Sequence, residues 1–150
     1  MPWSGHLAVQ TFYAIVERLN GPDSVLESND CAFSAPEPDP DAPPDQRFGC
    51  SGRVMALFRD LPRNRSAAAW DTLTTALHRA LAEEDPTFEL GVVGTAPVSV
   101  HFRGLPAPTQ DGHQLMVAFW AWGATERGCL DNLARLMTNL AGALRVAEGR

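Results

Sequence analysis

The sequence predicts a single α+β domain: an antiparallel sheet of four to five strands with helices packed on it, in the order α-β-β-α-β-β-α. Three observations lead there. Apolar residues recur at helical spacing in three separated segments. Short runs with two-residue alternation lie between those segments. A chain of 150 residues is long enough for one sizeable core and short for two, so residues 1–150 are read as one domain.

In the first helix, Ala8, Phe12, Ile15, Val16 and Leu19 form one stripe on a helical wheel. Asn20-Gly21-Pro22 ends it, because glycine tolerates a left-handed cap and proline cannot continue a helix. A second helix spans about 67–82 behind Ser66 as N-cap, with Trp70, Leu73, Leu77 and Leu81 on one face. A third spans about 126–146 behind Thr125, with Cys129, Leu133, Leu136, Met137, Leu140 and Leu144 as its stripe. All three stripes read as core packing.

Val25-Leu26-Glu27 with Cys31-Ala32-Phe33 gives a weak first strand, and 52–59 a better second. A short strand is read at 89–93. The run 98–103 alternates, with Val98, Val100 and Phe102 to one side and Ser99, His101 and Arg103 to the other, as a half-buried strand does. Residues 105–112, with two prolines and Asp111-Gly112, read as a hairpin loop. The strand at 114–122 differs from the others. Leu115, Val117, Phe119 and Ala121 point one way, and Met116, Ala118, Trp120 and Trp122 the other. With both faces apolar, it belongs in the middle of a sheet with a layer on each side. Met55-Ala56-Leu57-Phe58 before the second helix is echoed by Met116-Val117-Ala118-Phe119 before the third. This supports a repeated strand-strand-helix order, with the two later helices on one face.

The charge is uneven. Residues 20–46 hold seven acids and no arginine; elsewhere 11 acids face 12 arginines, which accounts for the net charge of -6. Within that stretch, residues 35–46 are proline-rich. Proline lacks an amide donor and fixes φ, so this acidic loop is expected to stay out of the sheet, as a solvated connection or as a partner-binding arm through Asp39 and Asp41. The acidic balance argues against nucleic acid or an anionic membrane as partner. No apolar run reaches the roughly 20 residues of a membrane span. The N-terminal residues show no basic start before an apolar stretch, and three cysteines without motif spacing suit a reducing compartment, so a cytoplasmic location is expected. All 12 basic residues are arginine, which excludes lysine nucleophiles and a lysine-type phosphate loop and suits a bacterial-like, GC-rich composition.

The candidate site is the second face of the 114–122 strand. Burying one indole removes roughly 150–250 Å² from water, worth several kcal/mol, so Met116, Trp120 and Trp122 need a cover. The first helix is the simplest cover; a second copy, a protein partner or a small aromatic ligand are the others. His101 and His113, with Asp111, fall short of a zinc ligand set. Cys31 beside Asp30 lacks a placed histidine, while Cys50 and Cys129 read as small buried hydrophobes. Arg59 and Arg103, each at a strand end in Phe-Arg-Asp/Gly-Leu-Pro, offer an anion clamp or pairing with a nearby acid such as Asp60. No metal and no cofactor is expected.

In its element order and acidity the chain is loosely similar to small acidic secretion chaperones, which are dimers that hold partner segments; the likeness is one of topology and charge. The expected function is that of a non-catalytic, homodimeric protein-binding protein, of the immunity or inhibitor kind or chaperone-like. The alternative is a small-molecule binder or enzyme whose pocket is lined by Met116, Trp120 and Trp122 with His101 and Arg103.

Overall fold

The computed structural model describes residues 3–103, 105–106 and 111–149. Its elements are α1 (Leu7–Leu19), β1 (Leu26–Phe33), β2 (Glu37–Pro38), β3 (Phe48–Phe58), a 3-10 turn (Leu61–Arg65), α2 (Ala67–Glu84), β4 (Gly91–His101), β5 (Asp111–Gly123) and α3 (Glu126–Ala147). The strands form one antiparallel sheet in the order β1-β3-β5-β4, with β2 added beside β3. The α+β class and the antiparallel sheet thus hold, with one more strand in the order: α-β-β-β-α-β-β-α.

The caps form as the sequence suggests. The hydroxyls of Ser66 and Thr125 accept from the amides of Ala69 and Gly128, satisfying donors that the first turn leaves free. The helical stripes and the odd-numbered residues of β5 then close one core, in which Leu115, Val117, Phe119 and Ala121 are buried under α3.

The first helix does not cover the Trp120 face; it packs beside α3 on the same side as the other two helices. Phe12 stacks edge-on against Phe33, with ring centroids 4.8 Å apart, and lies 6.1 Å from Phe119. Gly52 makes room for this cluster, since a Cβ there would lie 2.5 Å from the Phe119 ring and 2.6 Å from Phe33. Arg59 is no anion clamp: it donates to the carbonyls of Leu26, Leu19 and Gly21, closing the C-terminal end of α1 onto the sheet.

The segments expected at 89–93 and 98–103 are one strand, β4, at the sheet edge, with Pro97 inside it. The reason is one of parity. The Trp122 amide donates to Leu90, so alternate residues from Leu90 onward turn their amides toward β5. Pro97 falls on the other set, and its missing donor faces the open edge, where it costs nothing. The proline-rich segment likewise joins the sheet, contrary to expectation. Glu37 and Pro38 lie opposite Gly49 and Phe48, and the backbone amide of Asp39 donates to the Arg47 carbonyl at 2.9 Å, which turns the nitrogen of Pro38 outward. The hairpin loop expected at 105–112 lies largely outside the described residues.

Two polar clasps hold the helices. The carboxylate of Glu148, just past α3, is wholly shielded from solvent; it takes hydrogen bonds from Arg18 on α1, the Ser24 hydroxyl and the Val25 amide. Arg135 on α3 binds Asp85 through two nitrogens and lies over the Phe88 ring, tying down the end of α2. That guanidinium, with the Asn139 amide, holds the Asp85 carboxyl below the usual carboxylate range.

Two substitutions test this packing. Glu148→Ala strands Arg18 and two donors and is expected to cost about 3 kcal/mol, read from the urea midpoint. Gly123→Ala would place a Cβ 2.1 Å from the Cys129 amide nitrogen, driving α3 off the sheet, with an expected loss of about 2–3 kcal/mol; an unchanged midpoint would contradict that close approach.

Candidate functional site

Residues opposite one another in an antiparallel ladder share a face, so the register defines the second face of the sheet. Val92 lies opposite Trp120, Ala96 opposite Met116, Arg53 opposite Ala118 and Ser51 opposite Trp120 on its other side. Trp120 is 42% exposed and Val92 46%. The Trp120 ring extends over Gly94, 3.6 Å from where a Cβ would sit. β5 is a middle strand, as its two apolar faces require, but within this chain only one of those faces is covered by helices.

The surface is a shallow groove of about 480 Å³, lined by Ala32, Ser51, Arg53, Met116, Ala118 and Trp120. Its charge is confined to one side, where Arg53 pairs with Asp30 at 2.8 Å. A bulge at Asn29 sends its amide across β3 to Gln114 at 2.7 Å, and Met55 beneath this span is buried. The groove is thus apolar in the middle and bounded by a polar bridge and an ion pair.

Trp122 is treated differently from Trp120. Its indole N–H donates to Asp39 Oδ2 at 3.0 Å, while Asp39 Oδ1 accepts from the Asp41 amide at 2.9 Å. Gly49 permits the approach, since a Cβ there would lie 2.8 Å from the Asp39 carboxylate. The acidic loop is therefore a strap: Asp39 organises its turn and caps one indole, and Asp41 remains exposed at the rim. Tryptophan's apolar body and single donor call for such a partner. The sequence singled out both residues without indicating that they meet.

His101 and Arg103 lie elsewhere. His101 bonds to Asp111 at 3.0 Å at the far end of β4, and Arg103 is exposed in the turn that follows. Nine residues separate His101 from Val92, about 30 Å at the rise of a strand, so neither can line a pocket with Trp120. His78 bonds to Thr95, and His113 lines a separate cavity of about 210 Å³ with Trp70, Asp71, Thr74 and Thr95 on the helix side. Among the described residues no group of three or more His, Cys, Asp or Glu is placed to hold a metal ion. No described helix is long and apolar enough to cross a membrane.

Sequence reasoning missed one pairing of reactive groups. Cys50 and Cys129 bring their sulfurs to 3.2 Å behind Ala121. They stand 79 residues apart, and no local pattern links them.

Compared with models of protein families, with characterised proteins and with solved structures, the chain matches none.

Asp39→Ala is expected to release Trp122 and loosen the strap. Quenching of tryptophan emission by acrylamide and protease cleavage within 35–46 should both rise, while stability falls by about 1–2 kcal/mol. Unchanged quenching and cleavage would show that the carboxylate does not hold the loop.

Proposed function

We propose that this chain is a non-catalytic protein-binding protein, of the inhibitor or chaperone kind, that acts as a homodimer joined through its open sheet face. The observation that carries this reading is the adjacent pair Trp120 and Val92, large apolar side chains left bare on the open face of the sheet. Such patches mark interaction surfaces.

Charge selects between the orientations open to a second copy. At the end of the sheet where β3 starts, Glu37, Asp39, Asp41 and Asp45 outnumber Arg47. At the opposite end, Arg59, Arg63, Arg65 and Arg103 are matched in number by Asp23, Glu27, Asp60 and Asp111. A two-fold axis lying across the strands keeps the two acidic ends apart; an axis along the strands would set acid over acid. The acidic straps then flank the joined faces and give a basic protein partner a surface to meet.

The size of the face sets the strength. Four strands at ~4.8 Å spacing, over about eight residues each, give roughly 500 Å² per copy. Stable interfaces take about 800 Å² per partner, so the dimer is expected to dissociate in the micromolar range.

A second reading rests on the groove itself, whose 480 Å³ and single indole would admit a small aromatic ligand beside Arg53. Ligand-induced change in Trp120 emission without any change in mass would favour it.

Sedimentation velocity between about 1 and 200 µM is the test. The wild type should move from one to two copies across that range. Trp120→Asp should remain single at every concentration with its melting temperature within a few degrees. A wild type that stays single throughout would overturn the dimer.

A further inference from the structure

We propose that Cys50 and Cys129 form a modification site: a buried thiol pair that a peroxide converts to a disulfide joining β3 to the first turn of α3. This site lies on the helix side of the sheet and does not depend on the open face.

The geometry carries the proposal. The sulfurs stand 3.2 Å apart, which leaves about 1.1 Å to close to a disulfide bond. Both belong to rigid elements. Cys50 pairs with Ala121, the third pair of the β3–β5 ladder, and the Cys129 amide donates to the Thr125 carbonyl within the capped first turn of α3. Gly123 lets that turn settle directly on the strand end. The Ala121 carbonyl also accepts from the pair, 3.4 Å from the Cys129 sulfur and 3.9 Å from that of Cys50. Cys31 on β1 stands outside the pair, and the three cysteines are free thiols.

The pair is also electronically biased. Sharing one S–H between the two sulfurs holds the Cys129 thiol below its usual range, against burial and the Asp39 charge, which push it up; its place at a helix N-terminus favours the anion. The same hydrogen bond, then burial, then the charge of Cys129 push Cys50 far up, because a second thiolate beside the first is opposed. Cys129 lies in the first turn of α3, where the helix N-terminus stabilises a thiolate, and is assigned as the attacking sulfur, with Cys50 on the strand as the resolving one.

The steps balance. The Cys129 thiolate attacks one oxygen of hydrogen peroxide; the O–O bond breaks, hydroxide leaves, and Cys129 becomes a sulfenic acid. Cys50 then attacks that sulfur; the S–O bond breaks, the S–S bond forms, and the thiol proton leaves with the hydroxyl group as water. Two thiols are oxidised by two electrons and one peroxide is reduced to two waters. Cys50 is 4% exposed and Cys129 fully buried, so a small oxidant suits the site, and the rate follows opening of the first turn of α3.

The test needs no substitution in the core. The folded protein is treated with hydrogen peroxide, blocked with an alkylating agent under denaturing conditions, and digested without reductant. The expected result is one cross-linked peptide pair containing Cys50 and Cys129, an intact mass about 2 Da lower for this link, and a melting temperature raised by roughly 10 °C. Dithiothreitol should reverse all three. Cys31→Ser should leave the cross-link yield unchanged. Alkylated Cys50 and Cys129 after complete oxidation of Cys31 would overturn the proposal. So would Cys129 recovered as a sulfinic or sulfonic acid beside an alkylated Cys50, or a yield that collapses in Cys31→Ser.

Discussion

The two-residue period of β5 governs this molecule. A strand with Leu115, Val117, Phe119 and Ala121 on one side and Met116, Ala118, Trp120 and Trp122 on the other cannot turn either face cheaply to water. Its place between β3 and β4 satisfies the backbone but not the second row of side chains. All three helices close on the first row, so the chain spends its covering layers on one side. What remains for the other side is a strap, a bridge between Asn29 and Gln114, and a bare patch.

The helices gather on one side because α1 is held there by both apolar and polar contacts. Phe12 meets Phe33 and Phe119, Arg59 closes on the carbonyls at its C-terminal end, and Arg18 reaches the buried Glu148. A helix tied at three points to α3 and the sheet edge is not free to cross to the other face. The unequal treatment of the two indoles follows. Trp122 lies near the strand end, within reach of the acidic strap, while Trp120 lies two residues further in, beyond it.

Much of the fold was legible from residue types. Ser66 and Thr125 announced their helices, the stripe of α3 its buried side, and β5 its central place. Three features were not. A helical stripe states that a face is buried without saying against which layer, so the stripe of α1 leaves open which side of the sheet it covers. Proline punctuates a sequence whichever way its nitrogen points, so β4 was split at Pro97 and the pairing of Glu37 and Pro38 was missed. Proximity between distant positions leaves no local mark, which hid both the Asp39–Trp122 contact and the Cys50–Cys129 pair. Met116, Trp120 and Trp122 share one face of the sheet because alternation fixes which residues share a side, whereas His101, opposite Asp111, falls on the other face at the far end of β4 and Arg103 lies beyond the strand.

The central claim is that the patch around Trp120 is covered by another copy of the chain. Fluorine NMR of protein carrying 5-fluorotryptophan tests it most directly, since each of the four indoles reports separately. On dilution through the micromolar range, the Trp120 resonance should shift toward its water-exposed position while that of buried Trp70 stays fixed. A Trp120 resonance that is independent of concentration and already at its solvent-exposed position would contradict the account.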